Sequence, residues 1–250
     1  MSAERKYVMS IAGFDPSGGA GLLADIKTFE QHKVHGLSVN TGNTLQTATQ
    51  FHSIEWTDLK DVLNAIDALL NEYPVKVIKT GIVPSFDFLF EIASHIKKIN
   101  TEIKIVVDPV IRSSTGFDFQ KDDQRKKLTN VLESIFLITP NIEEATILAN
   151  NKDPKKAATQ LSKYCNVLLK GGHSNGERGT DHLYTDGTCL ELQPTVMNVS
   201  AKHGSGCVLS AAITSNLALG LDLKTACIEA KKYVEQFLSS NKTLLGYHTT

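Results

Sequence analysis

The sequence predicts an α/β protein in three layers, an α/β/α sandwich with helices on both faces of a mostly parallel central sheet. Three observations carry that prediction. Short β-rich apolar runs alternate with amphipathic stretches about ten to fifteen residues long. The runs are apolar cores too short for helices, as buried parallel strands covered on both faces read. The alternation breaks once, where Leu183–Tyr184 and Cys189–Leu192 flank Asp186-Gly187; the second residue of that dipeptide accepts positive φ, which marks an antiparallel hairpin at a sheet edge.

The elements follow in order. Tyr7–Gly13 is a β-rich run ending in a Gly/Pro/Ser cluster, and Gly21–Gln31 follows with Leu22, Leu23, Ile26 and Phe29 at helical spacing. Leu37–Thr41, Val75–Lys79, Ile103–Val107, Phe136–Ile138 and Val167–Leu169 are further apolar cores too short for helices. Helices are predicted over Asp58–Asn71, Phe86–Ile99, Asp122–Glu133, Ile142–Ala149, Pro154–Tyr164, Ser205–Leu219 and Leu223–Leu238. No linker, repeat or low-complexity tract interrupts the 250 residues, so one domain over residues 1–250 is the economical reading.

Composition excludes several function classes. With 41% hydrophobic and 21% charged residues, the chain has apolar surface enough for a core and none of the bias of a disordered protein. Lys plus Arg (26) against Asp plus Glu (27) leaves a net charge of -1, with no basic excess for a nucleic acid backbone. No stretch approaches the ~18 uninterrupted apolar residues of a membrane span, and no secretory signal is visible. Cys165, Cys189, Cys207 and Cys227 lie far apart without a C-x-x-C pair, which suits reduced thiols in a cytoplasmic protein.

Ligands of open parallel sheets bind beyond the carboxyl ends of the strands, so the residues there carry the chemistry. After the first strand comes Gly13-Phe14-Asp15-Pro16-Ser17-Gly18-Gly19-Ala20-Gly21; later strand ends carry Lys79-Thr80-Gly81, Asp108-Pro109-Val110, Thr139-Pro140-Asn141 and Lys170-Gly171-Gly172-His173. Gly19-Ala20-Gly21-Leu22-Leu23-Ala24 fits a dinucleotide fingerprint, but no ribose-binding acid ends the next strand. Gly172-His173-Ser174-Asn175-Gly176 fits a nucleophile elbow, but its polar surroundings read as a surface loop. His203 and Cys207 have the spacing of two metal ligands without a third or fourth. The turn Gly204-Ser205-Gly206-Cys207, opening a helix, has the makings of an anion hole: two glycines for close approach, and a helix N-terminus with unpaired N–H groups. A Gly-rich helix start with a buried Cys is the plainer alternative. Asp108 and Glu144 lie where Mg²⁺ ligands would, and Lys170 where it screens phosphates, although a lone strand-end acid is more often a helix cap.

Taken together and in order, these segments, with Ala24-Asp25-Ile26-Lys27-Thr28-Phe29 and His203-Gly204-Ser205-Gly206-Cys207, resemble the hydroxymethylpyrimidine and phosphomethylpyrimidine kinases of the ribokinase-like superfamily, from about Val8 to Phe237. The resemblance implies a ribokinase-like sandwich, ATP with Mg²⁺, and successive phosphorylation of a pyrimidine alcohol and its monophosphate in thiamine biosynthesis. It places Asp25 and Gln46 on the pyrimidine, Ala20 and Val110 along its pocket, and Cys207 beside the reacting hydroxymethyl group. It makes Asp108 and Glu144 the holders of metal-bound phosphates, Asn141 and Lys170 their support, and Gly204, Ser205, Gly206 and Cys207 the anion hole. A homodimer is implied as well, and because the chain stops soon after its last helix, a fused thiamine-pathway domain is not expected.

The carboxamide of Gln46 offers the donor and acceptor that complement an aminopyrimidine edge, and a helix N-terminus is expected to lower the Cys207 thiol. A branched side chain at Gly206 is expected to obstruct phosphate and to require backbone angles closed to other residues. The chain departs from the family in lacking a lysine in the loop after Asp108-Pro109-Val110, where Ser114 and Arg112 stand, and in having Ile82 in place of methionine. Two alternatives are a pyridoxal or pyridoxine kinase of the thiamine-kinase-like subgroup, against which Gln46 speaks, and a non-catalytic pyrimidine-binding protein, which has no use for Asp108, Glu144, Lys170 and Cys207 together.

Overall fold

The computed structural model describes residues 4–111, 125–171, 179–197 and 199–249. Arg112 and Ser114, the predicted helix start at Asp122, and the segment from Gly172 and His173 to Gly176 lie outside the described residues. The elements run β1 (Tyr7–Phe14), α1 (Gly21–Gln31), β2 (His35–Gln46), β3 (Phe51–Trp56), α2 (Leu59–Glu72), β4 (Val77–Thr80), α3 (Phe86–Ile99), β5 (Lys104–Val107), α4 (Arg125–Ser134), β6 (Leu137–Ile138), α5 (Ile142–Ala149), α6 (Pro154–Leu161), β7 (Asn166–Leu169), β8 (Asp181–Thr185), β9 (Thr188–Leu192), α7 (Ser205–Ala218) and α8 (Leu223–Ser239).

One sheet holds the described strands in the order β3-β2-β1-β4-β5-β6-β7-β8-β9. From β2 to β7 every neighbouring pair is parallel, whereas β3 and the β8–β9 hairpin pair antiparallel at the two edges. The hairpin turns through Asp186 at φ 49° and Gly187 at φ 72°, as the dipeptide predicted. Strand side chains alternate between two cores. Ile78, Ile105, Val107 and Ile138 pack with α2, α3 and α4, while Val77, Val106 and Leu137 pack with α7 and α8. Because both faces are covered, strand and helix apolar surface is removed from water together, and this burial holds the three layers.

Local chemistry sets the helix starts. The Ser85 hydroxyl accepts from Phe88 N–H at the start of α3, Asp153 caps α6 ahead of Pro154, and Asp222 caps α8. Among the described residues no helix is long and apolar enough to cross a membrane. Two strands depart from expectation. β2 runs on past Thr41 to Gln46, and there pairs with β3, which the apolar pattern did not foreshadow because its side chains are exposed or half-exposed throughout.

Chain order reverses at β1, which lies between β2 and β4. Such a reversal opens a crevice at the carboxyl ends of the strands. The loop after β1 and the turn at Gly81 meet there, and Gly81 N–H donates to Ile11 O at 2.9 Å.

Candidate active site

Helix α7 begins inside this crevice. Gly204 is its N-cap at φ 75°, and the first helical bond runs from Val208 N–H to Gly204 O, so the N–H groups of Ser205, Gly206 and Cys207 end the helix without an intrahelical acceptor. The glycine with the left-handed backbone is Gly204, while Gly206 is absent from the positive-φ residues, which corrects the expected backbone constraint at Gly206. Gly206 matters for space: a Cβ there would lie 3.3 Å from Lys170 Nζ and 3.4 Å from Asp108 Oδ2. The anion-hole turn, a cation and an acid therefore meet at one point.

Around that point, Lys170 Nζ donates to Asp108 Oδ1 at 2.9 Å and stands 3.9 Å from Glu144 Oε2. Burial works against the Lys170 ammonium, but Asp108 and then Glu144 outweigh it and hold its pKa above the lysine range. Glu144 is also the N3 residue of α5, in a capping box with Asn141: Glu144 N–H donates to Asn141 Oδ1 and Asn141 N–H to Glu144 Oε2. The plainer reading of Glu144 as a helix cap holds, and the same carboxylate faces Lys170. Burial lifts its pKa to about 7, with Lys170 opposing and Asp108 adding to the rise. Asn141 bridges Lys170 across the sheet end. Val110 follows Asp108 with its N–H on the Asp108 carbonyl. The donor set fits Mg²⁺, which commonly takes one or two protein carboxylates and completes its shell with phosphate and water. Among the described residues no three His, Cys, Asp or Glu form a metal cluster without such help.

Beneath the turn lies a pair that pattern reading missed. Lys79 Nζ sits 2.7 and 2.9 Å from the two oxygens of Asp25, which also accepts from Ser10 Oγ at 2.5 Å, and neither Asp25 nor Lys79 has exposed surface. The resemblance put Asp25 on the pyrimidine; the structure puts both its oxygens on protein donors. Burial opposes the Lys79 ammonium, yet Asp25 above all, with Asp108 farther off, holds it charged. The signal was present: Lys79 stands in a run read as doubly buried, and a lysine there needs a partner.

The Cys207 thiol is pushed up to about 11 by burial, although Lys79 and the Gly21 N–H pull the other way. The direction is opposite to the expected lowering, because burial, with Asp108 and Asp25 adding to it, outweighs Lys79 and the Gly21 N–H. At neutral pH the ligand-free residue is a thiol. Alkylation by iodoacetamide, followed on the Cys207 peptide by mass spectrometry, should keep accelerating past the ordinary thiol value of 9.0 and level off only near about 11. A plateau at the ordinary value would remove the burial effect.

On the other side of the turn, Ala20 N–H donates to Asp15 Oδ2 at 2.8 Å, and a Cβ added at Gly204 would meet Gly19 O and Ala20 Cα. Gln46 ends β2, where its Nε2 donates to Thr44 Oγ1, whose hydroxyl donates to Phe14 O. The amide is thereby tied to the glycine-rich loop. Helix N–H donors, a lysine and two carboxylates beside a glycine-rich loop are the layout of a phosphotransferase.

The comparisons agree. The chain belongs to the phosphomethylpyrimidine kinase family, whose model matches residues 15–250. It is a kinase of ribokinase-like fold. It is 31% identical over 244 residues to the hydroxymethylpyrimidine/phosphomethylpyrimidine kinase of Aquifex aeolicus (strain VF5), covering 94% of this chain and 95% of that one. Among solved structures, phosphomethylpyrimidine kinase from Clostridium difficile 630 matches with a TM-score of 0.79 at 32% identity, over 93% of this chain and 99% of that chain. Pyridoxal kinase from Staphylococcus aureus in complex with AMP-PCP and pyridoxal matches with a TM-score of 0.84 at 25% identity, over 97% and 92%.

Proposed function

We propose that the protein transfers the γ-phosphoryl group of ATP to the hydroxyl of 4-amino-5-hydroxymethyl-2-methylpyrimidine, and then a second one to the phosphate of the product. The observation that carries this is the meeting at Gly206 of helix N–H donors, Lys170 and Asp108. Charge on the transferring group has donors waiting where it develops, and no donor must reorganise. Asp108 and Glu144 would hold Mg²⁺, which when bound offsets phosphate charge. Lys170 and Asn141 support the nucleotide phosphates. Ala20 and Val110 line the pyrimidine pocket, and Cys207, a thiol at neutral pH, orients the acceptor hydroxyl. Asp25 acts through Lys79, keeping a positive charge beneath that thiol.

Gln46 supplies the selectivity in this reading. Gln46→Met removes a donor and an acceptor at similar length; Gln46 is half-buried, and leaving a substrate edge that it pairs with unsatisfied costs about 1–3 kcal/mol, roughly five- to a hundred-fold in kcat/KM. Pyridoxal, with a phenolic oxygen and a methyl in place of the aminopyrimidine edge, should suffer less, so the ratio of the two efficiencies is the quantity to measure. An unmoved ratio would take Gln46 out of the site. The likeness to pyridoxal kinase supports a second reading, and a wild-type preference for pyridoxal over the pyrimidine and its monophosphate would favour it. ADP release on adding either alcohol separates both from a non-catalytic binder. A cytoplasmic homodimer belongs to the same reading; the four free cysteines support a reducing compartment.

A further inference from the structure

His203 directly precedes the anion-hole turn, and its role is not absorbed by the phosphate or pyrimidine contacts above. Its Nε2 lies 3.0 Å from Asp15 Oδ2, between residues 188 apart in the chain, and both side chains are buried. Asp15 in turn gathers the glycine-rich loop: its carboxylate accepts from Ser17 N–H at 2.9 Å, Ser17 Oγ at 2.9 Å and Ala20 N–H at 2.8 Å, and its carbonyl accepts from Gly18 N–H at 3.0 Å. Burial works against the Asp15 charge, but His203, Ser17 and Ala20 together hold its carboxyl below the usual range. The His203 ring also covers Gly19, where a Cβ would lie 2.7 Å from Cδ2, and the His203 N–H donates to Leu244 O at 2.9 Å. One carboxylate thus binds the loop that encloses the alcohol and the imidazole that leads into the turn that receives the phosphoryl group.

We infer that the His203–Asp15 pair is a positioning clamp that holds the glycine-rich loop in register with the anion-hole turn. This rests on the kinase reading of the site. The hole is formed by the start of α7 and the loop by its turns and its bonds to Asp15, so each can bind its ligand when the His203 side of the clamp is loosened. What the clamp fixes is the distance from the acceptor oxygen to the phosphorus, and a misplacement of about 1 Å costs on the order of a hundred-fold in rate. Loosening it therefore lowers kcat and leaves KM nearly unmoved.

The test uses the full chain with saturating ATP and whichever alcohol the wild type turns over faster. Asparagine reaches only as far as Nδ1 of the imidazole, whereas glutamine carries its amide nitrogen to about where Nε2 stands. His203→Asn should lose roughly ten- to a hundred-fold in kcat with KM for both substrates within about threefold. His203→Gln should recover most of that loss. His203→Phe, which keeps a ring over Gly19 and removes the contact with Asp15 while leaving the loop's own bonds to Asp15, should give the same split, and it serves if His203→Asn fails to fold. Unchanged kcat in a folded His203→Asn, a rise in KM with kcat retained, or a glutamine no better than asparagine would each overturn the clamp. Wild-type turnover of pyridoxal but not the pyrimidine would overturn the substrate reading alone, and the clamp is then read on pyridoxal. Turnover of neither would overturn both.

Discussion

Gly204→Ala is expected to abolish measurable phosphoryl transfer and to lower the melting temperature by several degrees. The residue caps α7 at φ 75°, where an L side chain costs roughly 1–2 kcal/mol. Its added Cβ would lie 2.0 Å from Gly19 O and 2.7 Å from Ala20 Cα, and these are backbone atoms that no rotamer change can move aside. Relief requires the glycine-rich loop and the anion-hole turn to separate, so strain and function fail together. For a domain of this size each kcal/mol is worth roughly 2–4 °C. Gly206→Ala is the control. The nearest atoms to its Cβ among the described residues would be Lys170 Nζ at 3.3 Å and Asp108 Oδ2 at 3.4 Å, the far ends of side chains, and its backbone has no positive φ. That variant should melt near wild type and bind ATP more weakly, because the methyl occupies the approach to the helix donors. Calorimetric melting and nucleotide titration of the two proteins check the contrast. Equal behaviour in both would show that close approach at Gly204 is not what the turn depends on.

Most of the layer architecture was legible because doubly buried strands and one-sided helices leave strong apolar signals. α1, α3 and α5 fall at their predicted bounds. β3 was not legible: His52, Ser53 and Glu55 are exposed, so no apolar period marks a strand that is defined by its hydrogen bonds to β2. The helical stripe of α1 was read through Leu22, Leu23, Ile26 and Phe29, but the buried face runs through Leu22, Ala24, Asp25, Thr28 and Phe29. A polar residue on a buried face is discounted by any apolar count, and its partner, Lys79, lies 54 positions away. Single strand-end residues such as Asp108, Lys170 and Glu144 were found because parallel topology gathers strand ends; the His203–Asp15 and Lys79–Asp25 pairs join distant segments, and only the fold shows which charge meets which.

The second large effect follows from that buried pair. Lys79→Met leaves the Asp25 carboxylate with Ser10 Oγ as its remaining donor of the three bonds described, in a position with no exposed surface. Removing one partner of a buried ion pair costs about 3–5 kcal/mol, a large part of the about 5–15 kcal/mol that holds an ordinary domain folded. Urea unfolding should show the midpoint falling by that loss divided by the slope, with little change in the slope itself. Lys79→Met/Asp25→Asn removes both charges at similar volume, and Ser10 can still donate to the amide oxygen. Most of the stability should return, since a buried pair replaced as a unit is often near neutral. Turnover should not return with it, because Lys79 is also the cation facing Cys207 and Asp108, and the double variant leaves those groups without it. A double variant that regained stability and rate together would make the pair purely structural. Stability without rate would assign the Lys79 charge to the site above it.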